Sequence, residues 1–67
     1  MNFVIECRYI RLCPENDARK DWFPVADSDL LEMDHGEFLR YFGTMEATEL
    51  NNPNGRIREY RLLYKGN

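Results

Sequence analysis

Asp34, His35 and Glu37 are the one group in this 67-residue chain whose types and spacing resemble an acid/base or metal-ligand cluster. An imidazole between two carboxylates could relay a proton or hold a cation. Asp34 and Glu37, three positions apart, also have the spacing of a capping box, in which two side chains satisfy backbone N–H groups at a helix start. That use explains both acids without a ligand. Cys7 and Cys13 are the second candidate set. Six residues apart on one extended strand, they would stand roughly 20 Å from each other, far beyond disulfide reach. Neither belongs to a Cys-x-x-Cys pair and His35 is the lone histidine, so the two cysteines read as free thiols, buried or partly so. The chain carries no Gly-rich phosphate loop and no nucleophile elbow. A core of this size is also too small to enclose a preformed pocket. The expectation is a noncatalytic protein that uses no cofactor and no metal.

The elements that position these residues follow from periodicity. Phe3, Ile5, Cys7 and Tyr9 alternate with Val4, Glu6, Arg8 and Ile10, the period of a half-buried strand running to Leu12. Pro14 and the polar Glu15-Asn16-Asp17 read as a turn. Trp22, Phe23, Val25 and Ala26, interrupted by Pro24, suit a short edge strand or an irregular extended piece. Asp27, Ser28 and Asp29 supply N-cap chemistry ahead of Leu30, Leu31 and Met33, which predicts a helical segment that is either one helix or two short ones divided near Gly36. Phe38, Phe42 and Met45 give that segment an apolar face, and Gly43 suits its end. Met45 to Leu50 then reads as a short strand. Asn52-Pro53-Asn54-Gly55 has turn chemistry that predicts a hairpin, with Gly55 in the left-handed region. Ile57 to Lys65 is the returning strand.

The resulting expectation is an α+β fold, a small antiparallel sheet in the order β-β-α-β-β with the helical segment packed on one face. The first and last strands would lie side by side at the centre. Phe3, Ile5, Tyr9, Tyr60, Leu62 and Tyr64 would be buried against Leu31, Phe38 and Phe42. A domain this small buries only ~60% of its unfolded surface, so residues 1–67 have room for one compact domain. The opening segment lacks a basic n-region and is interrupted by Glu6, Arg8 and Arg11, fitting neither a signal peptide nor a membrane span. The expected location is the cytoplasm, with no membrane partner.

The net charge of −3 hides an uneven distribution. Residues 21–50 hold eight acids against Arg40, a net −7, while residues 1–20 carry +1 and residues 51–67 carry +3. Two surfaces follow. Asp27, Asp29, Glu32, Asp34 and Glu37 form a negative surface able to steer toward a basic patch on a protein partner. Arg8, Arg11, Arg56, Arg58 and Arg61, near Tyr60 and Tyr64, form the alternative, a basic sheet face for single-stranded nucleic acid. Cross-strand pairing of these arginines with Glu6 and Glu59 is the competing structural use. The leading expectation is a protein-binding module. By analogy of size and charge alone it would act as a phage or mobile-element inhibitor of a host nucleic-acid-handling defence enzyme. A structural subunit is the further alternative, because strand edges can pair across a homodimer.

Overall fold

The computed structural model describes residues 2–11 and 21–66. Cys13 and the turn expected at Pro14 to Asp17 lie outside them. Three strands and one helix follow in the order β1 (Asn2–Tyr9), β2 (Phe23–Asp27), α1 (His35–Leu50) and β3 (Arg58–Gly66). The sheet is antiparallel with strand order β2-β1-β3, so the alternating first segment occupies the centre. Its pairing with the last strand is as the sequence predicts, and β3 forms one edge rather than sharing the centre. β2 forms the other edge, opposing Pro24 to Glu6 across a register shift between Ile5 and Glu6. An edge position tolerates proline because its missing N–H need not serve a ladder.

Register fixes the two faces. Phe3, Ile5, Cys7 and Tyr9 stand opposite Tyr64, Leu62, Tyr60 and Arg58. Phe3 stacks on His35 of α1, which places the helix on this face. Glu6 and Arg8 stand opposite Arg61 and Glu59 on the other face. The buried apolar core comprises Val4, Ile5, Cys7 and Phe38. Tyr64 and Leu31, both expected inside, are exposed.

Two expectations about the helix are corrected. It does not start at Asp27 to Asp29. Those residues open a single turn in which Asp27 Oδ1 accepts hydrogen bonds from the backbone N–H groups of Asp29 and Leu30. The turn closes where Glu32, at φ 55°, donates to Asp29 O and Met33 donates to Ser28 O. This is the paired bonding of a Schellman stop, so the chain leaves the helical path after one turn. α1 then begins unbroken behind Asp34, with Gly36 inside its first turn.

The helix also passes Gly43 and continues to Leu50, so the fourth strand expected at Met45 to Leu50 is helix and the sheet has three strands. Met45, Glu46, Ala47, Glu49 and Leu50 are good helix formers. Gly43 lies exposed, with open space where a Cβ would project. The apolar spacing of Phe38, Phe42 and Met45 extends to position 49, which keeps one face inward for a further turn.

The Asn52 to Gly55 turn forms as its chemistry requires. Gly55 donates to Asn52 O at 2.9 Å and has φ 83°. It joins α1 to β3 instead of two strands, because the segment before it is helical. The hairpin-like half of the sheet is the consecutive antiparallel pair β1 and β2.

Candidate functional site

Each predicted carboxylate in the 27–37 segment has a definite place. Asp34 Oδ1 accepts from Glu37 N at 2.8 Å, and Glu37 Oε1 accepts from Asp34 N at 3.2 Å, forming a complete capping box. His35 turns instead toward Phe3, with ring centroids 4.5 Å apart and planes 7° from parallel. The Asp34-His35-Glu37 cluster is therefore divided between a cap and an aromatic stack. Asp27 caps the single turn through its side chain. Asp29 and Glu32, both exposed, make no side-chain hydrogen bond or ion pair among the described residues. Among those residues no group of three or more His, Cys, Asp and Glu could hold a metal ion.

Serine chemistry fastens this turn to the sheet. Ser28 is buried, its N–H donates to Phe3 O, and its Oγ accepts from Phe3 N at 2.9 Å. The turn therefore extends the end of β1 as a firm ledge. On the ledge stand Leu30, 84% exposed, and Leu31, with exposed Val25 nearby. Together with Val4, Pro24 and Asp27 they line a shallow groove of about 480 Å³ that ends at Lys65. Scattered exposed leucines are ordinary, whereas apolar residues gathered along a groove and bordered by charge make a candidate interaction surface. The sequence showed the acids but not this strip, since Leu30 and Leu31 read as the start of a helix that does not form there, with Leu31 in its buried face.

The predicted basic residues do not form one patch. Arg8 pairs with Glu59, and Arg61 donates to Glu6 Oε1 at 2.9 and 2.6 Å, both on the helix-free face. Both guanidinium groups lie over the Trp22 ring, Arg8 at 4.9 Å and Arg61 at 4.3 Å from its centroid. Arg11 donates to Asn54 O at 2.6 Å, and Arg56 reaches Glu46 at 3.2 Å. Arg58 faces the helix.

Arg58 belongs to an arrangement that sequence patterning alone did not single out. Glu49 is only 2% exposed, although it follows Phe38, Phe42 and Met45 on the inward face of α1. Its Oε2 accepts from the N–H groups of Ile57 and Arg58, at 2.9 and 3.1 Å, and its Oε1 accepts from Arg58 Nε at 3.1 Å. Burial pushes its carboxyl upward, but the two backbone donors and the guanidinium outweigh burial and hold it below the usual carboxylate range. Burial is also the largest influence on Arg58 and opposes its charge. The neighbouring Tyr60, Glu49 and Tyr9 prevail and raise its pKa. The Cys7 thiol is pushed up by burial, against the lowering influence of Arg58. A second shallow cleft, about 710 Å³, opens beside this pair between Thr44, Thr48 and Pro53. Its charged lining residues, Glu49 and Arg58, already satisfy each other.

Comparison with models of known protein families, with curated proteins and with solved structures finds no match to this chain. No helix among the described residues is long and apolar enough to cross a membrane.

Proposed function

We propose that the protein is a noncatalytic binding module that docks a basic protein through the ledge of residues 27–37. The observation that carries the reading is Leu30, held 84% exposed on a turn fastened to the sheet and rimmed by the carboxylates of Asp27, Asp29 and Glu32. A preformed apolar anchor loses little conformational entropy on docking, and a negative rim guides a positively charged partner toward it. The backbone of Glu32 supports the same reading. A φ of 55° is uncommon for a residue with a long side chain, and such strain concentrates at binding sites. An acidic docking surface of this kind suits an inhibitor that occupies the nucleic-acid-binding surface of a defence enzyme.

The test separates charge from fold. Asp29→Lys with Glu32→Lys, and separately Leu30→Asp, avoid the capping residues Asp27, Asp34 and Glu37. Each variant is expected to lower affinity for the captured partner at least about tenfold, a loss near 1.4 kcal/mol. The melting temperature should hardly change. Unaltered capture by both variants would overturn the reading. So would tight binding of a fluorescent single-stranded oligonucleotide that survives a rise from about 50 to 200 mM salt and is lost in Arg8→Ala with Arg61→Ala.

A further inference from the structure

The outer edge of β3 carries a row of backbone groups whose number and spacing fit a second copy of the same strand. In an antiparallel pair, successive residues point their N–H and C=O groups alternately toward the partner strand and away from it. Ile10 donates to Ile57 O, so the groups of Ile57, and by alternation those of Glu59, Arg61 and Leu63, point toward β1. Those of Arg58, Tyr60, Leu62 and Tyr64 point outward. Arg58 is already provided for, since its N–H donates to Glu49 Oε2 and its C=O accepts from Arg56 Nε at 2.9 Å. Tyr60, Leu62 and Tyr64 have no partner for their outward N–H and C=O among the described residues. The free row is therefore three residues long, centred on Leu62, and bounded by a satisfied residue at one end and by Gly66, at φ 84°, at the other.

We infer that β3 pairs antiparallel with β3 of a second copy about a two-fold axis at Leu62, making one continuous six-stranded sheet with both helices on the same face. In this register Leu62 pairs with its own counterpart and Tyr60 with the partner's Tyr64. All six outward groups of each chain are satisfied and none is left over. The side chains agree. Glu59 falls opposite the partner's Lys65, an oppositely charged pair that occurs twice by symmetry. Arg8 engages Oε1 of Glu59, leaving its second oxygen for this contact. Shifting the axis to Arg61 sets two arginines face to face, and shifting it to Leu63 opposes Arg61 to Lys65. Like charges directly opposite are destabilising. β3 contains no proline, and its one register shift, where Lys65 is passed over between the pairs Phe3–Tyr64 and Asn2–Gly66, lies at its C-terminal end, beyond the free row. The inference rests on the backbone groups of β3 and not on the ledge, and because Lys65 also closes the ledge groove its variant is read by dimerisation and amide exchange alone.

The test combines sedimentation with amide exchange on the unmodified chain. Sedimentation velocity over a dilution series should show a reversible monomer–dimer equilibrium. Amide protons of Tyr60, Leu62 and Tyr64 should be protected at high concentration and exchange freely on dilution, whereas those of Arg61 and Leu63, bonded to β1, should stay protected in both. Lys65 is exposed and pairs with no acid among the described residues, so Lys65→Glu should leave the monomer folded. It should weaken the dimer about tenfold by setting like charges at two symmetric contacts. A monomer at every concentration would overturn the proposal. A dimer whose alternate amides show no dependence on concentration, or which Lys65→Glu leaves as tight, would overturn it as well.

Discussion

Glu49 shows how one buried charge can organise a small structure. Three hydrogen bonds, one of them from the Arg58 guanidinium, hold its carboxylate where the helix meets the start of β3, so neutralising it leaves donors without a full acceptor. Glu49→Gln is expected to cost roughly 2 to 4 kcal/mol in chemical denaturation. Acid should have the same effect. The folded pKa is below the unfolded value, so the contribution is complete above the ordinary value of 4.5 and disappears as pH falls from there through the lowered folded value. The difference in unfolding free energy between parent and Glu49→Gln should therefore shrink across that window, and a constant difference would refute the assignment. Glu32 poses the reverse case. Glycine adopts its φ of 55° without strain, so Glu32→Gly should leave stability unchanged or raise it by up to about 1 kcal/mol, while weakening partner capture. A clear loss of stability would show that the Glu32 side chain serves the fold.

At the scale of the element, the connection from α1 to β3 depends on a single backbone conformation. Gly55→Val should lose roughly 1 to 3 kcal/mol, because a β-branched residue is strained at φ 83°. Equal denaturation midpoints would show that the turn adapts. This turn was legible because Asn-Pro-Asn-Gly chemistry acts within four residues. The central strand and the edge strand containing Pro24 were legible for the same local reason, one from strict alternation and the other from proline. What was not legible depended on competition between neighbours. A cap at Asp27 looks like a helix start until Glu32 enters the left-handed region five residues later. Gly43 looks like a stop until the inward spacing from Phe38 to Glu49 outweighs it. The acids of the candidate surface were visible individually, whereas the Leu30 strip depended on that early stop and could not be seen without it.

Taken whole, the molecule separates its charges by location more than by sequence. Arg8, Arg56, Arg58 and Arg61 each find an acid, three of them across strands or between helix and strand, and those pairings use up much of the positive charge that the last segment displays in sequence. Asp29 and Glu32 keep theirs free on the ledge, which is why the acidic surface is the stronger docking candidate. The strand order has a kinetic consequence. The central strand finds β3 only through contacts such as Glu6 with Arg61, 55 positions apart, while α1 and β3 are tied together by Glu49 and Arg58 only nine apart. Short loops close at lower entropic cost than long ones, so the helix–turn–strand unit can assemble early and the sheet must wait for the distant encounter with β1. Until then the central strand lacks one of its two neighbours, and the search for that neighbour is a far longer loop closure than the one that joins α1 to β3.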